Sequence, residues 1–131
     1  MIRPDLDGLV VRGRYSEKVS LVFQGQLHHL SDDEVIKALF INPKFTLLDE
    51  TAISEGPALQ KGTCLARGDG EGPIYLIAIH FGAAKRHMIK NYESFIEYGF
   101  CLDRVLTMPA AVLRLVAKGC DLTGALSRVG R

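Results

Sequence analysis

The sequence predicts an α+β fold made of two related halves, each a small antiparallel β-sheet carrying one or two short helices. Internal repetition is the first observation behind it. Arg12-Gly13 is matched by Arg67-Gly68, Val19 by Ile74, Leu21 by Leu76, Gly25 by Gly82, His29 by His87, Val35 by Phe95, Phe40 by Phe100 and Ile53 by Leu113. The offset drifts from 54 (Gly8 to Gly62) to 60, which needs only small insertions at turns. A second observation is local order: each half reads as a glycine-turned hairpin followed by a capped amphipathic helix. The third is a partial third copy, in which Leu122-Thr123-Gly124-Ala125-Leu126-Ser127-Arg128 echoes Leu6-Asp7-Gly8-Leu9-Val10-Val11-Arg12. One domain over residues 1–131 therefore divides into repeats at 6–59 and 60–122, with a truncated copy at 122–131. The layout predicts that each repeat borrows the first strand of the next, the last copy closing the second repeat.

Taken in order, residues 9–12 form the first strand and 13–18 a loop. Residues 19–24 then make a second strand, which Gly25 reverses into a third at 27–30. Ser31 with Glu34 three residues on is a capping box, so a helix starts there. Val35, Ile36, Leu39 and Phe40 give that helix one apolar stripe, and Asn42-Pro43 ends it. Residues 45–48 are extended, and Asp49 or Thr51 caps a single helical turn. In the second repeat, residues 68–73 are a glycine-rich loop. The apolar run 74–81 predicts a central strand covered on both faces. Gly82 turns the chain into a strand at 85–88. Asn91 caps a helix over 92–98, with Gly99 just past its end. Thr107 caps a further helix from Pro109, with Val112, Leu113, Leu115 and Val116 on its apolar side. Residues 122–129 read as a strand completing the second sheet.

Composition narrows the function classes. Apolar residues make up 47% and charged residues 24%, the balance of an ordinary globular protein. A formal net charge of +1 gives no argument for nucleic acid. No apolar run is long enough to span a bilayer, so membrane insertion is not expected. Met1-Ile2-Arg3-Pro4-Asp5 does not read as a signal peptide, and the expectation is a soluble chain with reduced thiols. The three cysteines, Cys64, Cys101 and Cys120, all fall in the second repeat without metal-type spacing.

Residues 62–122 resemble a short repeat of the form G-x-L-x-R-G, Y-L-I, G-x-K-R-H-I, F-x-x-x-G-F, G-x-x-L. It recurs in tandem in bacterial extracellular and cell-wall-associated proteins. The likeness rests on Arg67-Gly68, Tyr75-Leu76-Ile77, Lys85-Arg86-His87-Met88, Phe95, Gly99-Phe100 and the stretch from Gly119 to Leu122. Residues 8–59 follow it more loosely: Ser20 replaces the tyrosine, Leu27-His28 the Lys-Arg pair and Leu39 the glycine. What the resemblance implies is an accessory module that binds a surface polymer or glycan.

The candidate ligand-binding residues are Arg67, Tyr75, Lys85, Arg86 and His87, with Arg12 and His29 as the weaker set. A tyrosine ring beside cationic donors suits sugars, whose apolar faces stack on the ring while hydroxyls take hydrogen bonds. Arg12 and Arg67 end equivalent strands, where a guanidinium fork can hold a carboxylate or a pair of hydroxyls. The same two arginines can instead brace the repeat, and that structural reading ranks first. His29 and His87 sit between a strand and a capped helix, where a corner-fixing hydrogen bond competes with a ligand contact and again ranks first. No nucleophile-and-base signature is present, so no catalytic residues are assigned. No metal ligand set and no cofactor motif is found, because His28-His29 lacks the spacing of a helical zinc site. The expectation is a non-catalytic binding module for a cell-surface glycan, with up to two related sites. A protein-interaction or self-assembling module forming a homo-oligomer is the alternative.

Overall fold

The structure, a computed structural model, describes residues 1–69 and 72–125. It is α+β, with two mixed sheets and few, short helices. The strands of the first sheet are β1 (Val10–Gly13), β2 (Val19–Phe23), β3 (Gln26–His29) and β4 (Thr46–Leu48), in the order β3-β2-β1-β4. Helix α1 (Asp33–Leu39) comes between β3 and β4. The second sheet holds β5 (Cys64–Gly68), β6 (Tyr75–His80), β7 (Ala83–Met88), β8 (Val105–Met108) and β9 (Ala117–Lys118), in the order β8-β5-β6-β7-β9. Helix α2 (Tyr92–Glu97) precedes β8, and α3 (Ala110–Arg114) follows it.

Both hairpins turn where glycine was expected. Gln24-Gly25 and Phe81-Gly82 have positive φ at both residues (53° and 71°, 51° and 78°). These two-residue turns twist with the strands they join. The sheets are not purely antiparallel as expected. Strand β4 runs parallel to β1, β8 parallel to β5 and β9 parallel to β7. A helix separates each outer strand from its hairpin, and a crossover through a helix returns the chain in the original direction.

Caps explain where the helices start. Ser31 does not cap α1; its backbone N–H donates to Leu59 O (3.1 Å) in the edge pairing that also bridges Leu30 to Leu59. The helix begins one residue later, where the Asp32 carboxylate accepts from Val35 N–H (3.1 Å). Asn91 caps α2 as expected, accepting from Ser94 N–H at 2.8 Å, and Gly99 follows with φ +76°. Thr107 is drawn into β8 opposite Arg67 instead of capping α3. The Ala110 N–H at the start of that helix donates instead to Asp69 Oδ1 (3.0 Å). Helix α3 is a single turn, so only Leu113 of its expected apolar side is buried, and Leu115 is 85% exposed.

One core joins the sheets. Val10, Leu21 and Phe23 from the first sheet pack with Leu65, Leu76 and Ala78 from the second, and with Leu39, Phe40, Phe95 and Tyr98 from the helical segments. Alternation along the strands sends Val11 and Val22 outward under Ile53, and Ala66 and Ile77 outward under Leu113. Strand β6 is central and covered on both faces, as its unbroken apolar run predicts. Helix α1 packs on β5, while Tyr98 at the end of α2 reaches Gly8 just before β1. The expected loan of a first strand is not observed. Strand β5 pairs with β6 and β8, and the segment reaching the edge of β3 is the one before it, with bridges from Leu27 to Glu55 and Leu30 to Leu59. Leu122 bridges Ile89 in the same sense, but residues 123–125 form no strand, and positions 126–129 of the expected one lie outside the described residues.

Candidate functional site

The register of β6 and β7 decides which candidates meet. Tyr75 faces Met88 and Ile77 faces Arg86, so Tyr75 and Arg86 lie diagonally on the outer face. The Arg86 guanidinium carbon sits 5.5 Å from the Tyr75 ring centroid, a cation–π distance. Arg86 Nε donates to Val116 O (3.0 Å), which holds the fork in place. Gly68, Gly72, Pro73, Ala110, Leu113 and Arg114 complete a groove of about 320 Å³, the lower end of the range for small-ligand sites. Tyr75 is half-buried against the cluster around Leu113, so its ring forms a wall of the groove and does not project freely.

Lys85 and His87 are not part of this groove. They alternate with Arg86 along β7 and belong to the opposite face. Lys85 is exposed, and His87 is buried between the sheets, its ring 5.5 Å from that of Phe23. Arg67 also points away from Tyr75, since Ala66 is the residue paired with Tyr75 on the outer face. Its Nη2 donates to Gly72 O (3.1 Å), while its buried Nε has no hydrogen-bond partner among the described residues. Arg67 lines a second groove of about 200 Å³ with Ile74, Ile89, Lys90, Tyr92 and Phe95. The two grooves meet at Gly72 and Pro73, which line both.

Arg12 and His29 are likewise apart. Arg12 is exposed and lies over the Phe45 ring, 4.9 Å from its centroid. His29 Nδ1 lies 3.0 Å from Val19 O, a corner-fixing contact, and the ring borders an outer groove of about 200 Å³. Beside Ser20, that groove carries residues the sequence did not single out: Ser16, Lys18, Glu50 and Glu55. Glu50 accepts from the Ser16 hydroxyl (2.6 Å), Ser16 N–H (2.7 Å) and Tyr15 N–H (3.1 Å). The Ser16 hydroxyl, then these amides, hold its carboxyl down to about 2. No local signal marks this, because the partners are 34 and 35 residues apart.

His28, not His29, is held as His87 is held. His28 faces Leu21 and His87 faces Leu76, and each ring places Nδ1 on a backbone carbonyl of the passing segment: Pro57 O at 2.8 Å and Cys120 O at 2.9 Å. His29, the residue matched to His87 in the sequence, faces Ser20 and lies on Val19 O instead. Burial pushes both imidazoles below the ordinary 6.5, against the opposing pull of those carbonyls. Cys120 Sγ lies 3.4 Å from His87 Nδ1, which invites a thiol–imidazole reading. The geometry opposes it. An Nδ1–H aimed at the Cys120 carbonyl cannot also accept the thiol proton. Burial raises the thiol and lowers the imidazole, so the ion pair a nucleophilic cysteine needs is disfavoured.

Comparison with family models, curated proteins and solved structures finds no match to this chain. Among the described residues, no group of three or more His, Cys, Asp and Glu is placed to hold a metal ion. No described helix is long and apolar enough to cross a membrane.

Proposed function

We propose that the chain is a non-catalytic binding module that recognises a cell-surface glycan, with its principal site in the outer groove of the second sheet. The observation that carries this is the Tyr75–Arg86 pair: an aromatic wall, and a guanidinium fixed by Val116 O over that wall. A sugar ring laid along Tyr75 gains apolar contact, and the Arg86 fork meets its oxygens. Arg67 serves the adjoining groove. Lys85, His87 and Arg12 are bracing or solvated residues in this reading, and His29 borders a weaker first-sheet site.

The same reading makes the chain a tandem duplication, related to the short repeats of bacterial surface proteins. Matching hydrogen bonds support it. Gly56 N–H to Leu27 O is answered by Gly119 N–H to Arg86 O, Leu59 N–H to His29 O by Leu122 N–H to Met88 O, and Ser31 N–H to Leu59 O by Lys90 N–H to Leu122 O.

The test is a glycan array with the labelled chain beside the double substitution Tyr75→Ala, Arg86→Ala. Binding lost in the double variant supports the reading. Binding that survives moves the site, and folded protein that binds no glycan removes the proposal. A protein-interaction role is the second reading, favoured by strands β4 and β8, which end their sheets and carry exposed Leu47 and Leu106. Light scattering across a concentration series would reveal the homo-oligomer it predicts.

A further inference from the structure

Charge is divided unevenly along the chain. Residues 1–59 carry six Lys and Arg against nine Asp and Glu, and residues 60–131 carry ten against six. A net +1 thus conceals −3 in one half and +4 in the other. Asymmetry of that kind points to an oppositely charged partner for one half. Four of those ten cations lie around one rim. Arg86 and Arg114 line the outer groove, Arg67 and Lys90 line its neighbour, and the two grooves adjoin at Gly72-Pro73.

Among the described residues, no carboxylate lines either groove. Asp69, close by in sequence, is engaged by Ala110 N–H. The Arg67 Nε is buried and finds no acceptor among the described residues, which leaves a donor for a ligand oxygen. Aromatic surface accompanies the cations on both sides: Tyr75 walls one groove, and Tyr92, 62% exposed and stacked on Phe95, borders the other. The first-sheet groove has the opposite character, with Glu50 and Glu55 beside Lys18 and His29.

We propose that the rim around Gly72-Pro73 binds a carboxylate-bearing glycan, a uronic-acid polymer whose acid groups pair with Arg67 and Arg86 while sugar faces rest on Tyr75 and Tyr92. This rests on the glycan reading above and narrows it to one chemical class. Arginine is the residue suited to the task, since its planar fork matches a carboxylate with two parallel hydrogen bonds. Neutral sugars offer the cations hydroxyl acceptors but no opposite charge.

Calorimetric titration with oligogalacturonate, its methyl ester and a neutral maltooligosaccharide tests it on the full chain. The acid form should bind, and the ester should bind about tenfold to a hundredfold more weakly, the loss expected for charged hydrogen bonds. Added salt should weaken the acid form selectively. Lys90→Gln with Arg114→Gln removes two exposed cations without touching the core, and should weaken the acid about tenfold. Equal binding of ester or neutral oligomer overturns the acid specificity and leaves the glycan reading standing. Inorganic polyphosphate binding as tightly as the galacturonate also overturns it, in favour of a general polyanion surface. Folded protein that binds none of the sugars removes both proposals.

Discussion

Gly119→Ala should destabilise the protein although it exchanges a flexible residue for a stiffer one. Gly119 has no positive φ, so alanine faces no backbone penalty there. By itself the change would stabilise by about 0.4–1 kcal/mol through the unfolded chain. The obstacle is the His87 ring: a Cβ on Gly119 would stand 2.5 Å from Cε1 and 2.7 Å from Nδ1. That ring cannot yield easily, being buried, held by Cys120 O at 2.9 Å and packed near Phe23. Overpacking of this kind costs about 1–3 kcal/mol, which exceeds the unfolded-state gain. The net loss should be about 1–2 kcal/mol, or roughly 3–8 °C in Tm for a chain of this size. Urea unfolding by circular dichroism gives the number. Adding His87→Ala to the variant should cost less than His87→Ala does alone, because the new methyl then has space. A Gly119→Ala protein as stable as the parent, or costs that simply add, would refute the claim that this glycine exists to admit the ring.

Acid should weaken the fold through His28 and His87. Both imidazoles are held below 6.5, so the unfolded chain takes up protons first. Stability is then complete above about pH 6.5 and falls as pH drops toward the folded-state values; His28→Gln should flatten that slope in a series of pH-dependent melts. Phe81→Asn should stabilise by up to about 1 kcal/mol, read as a higher urea midpoint, since Phe81 is 85% exposed with φ +51° and asparagine tolerates that region better. Glu50, whose carboxyl ionises at about 2, should keep its grip on the loop in acid. The Tyr15 and Ser16 amides should stay protected from hydrogen exchange as pH falls through 4.5, then lose protection as it nears 2, and Glu50→Gln should reduce their protection at neutral pH.

What sequence made legible was mostly short in range. Gly25 and Gly82 mark their turns because two adjacent positive φ angles favour glycine, and Asn91 and Gly99 bracket α2 through contacts within a few residues. Where a distant partner decides, the reading slipped. The Ser31 N–H is drawn into an edge pairing with Leu59, 28 residues away, and the Ala110 N–H is capped by Asp69 across 41 residues. The parallel strands were missed because a short extended run carries no sign of its direction. The site suffered from period two. Lys85, Arg86 and His87 are consecutive in sequence, yet pleating divides them between faces, and only Arg86 meets Tyr75. Period two likewise separates His28 from His29: only His28 turns inward and places Nδ1 on a carbonyl of a passing segment, as His87 does.

The crossed packing of the helices bears on how such a chain can grow. With α1 seated on β5 and the end of α2 seated beside Gly8, each half lends cover to the other. A stack in which every unit leans only on the next can lengthen one unit at a time. A clasp closed in both directions offers a newcomer no vacant seat, and neither partner can be spared. The two sheets should therefore unfold in one step, since removing either strips the other of its cover.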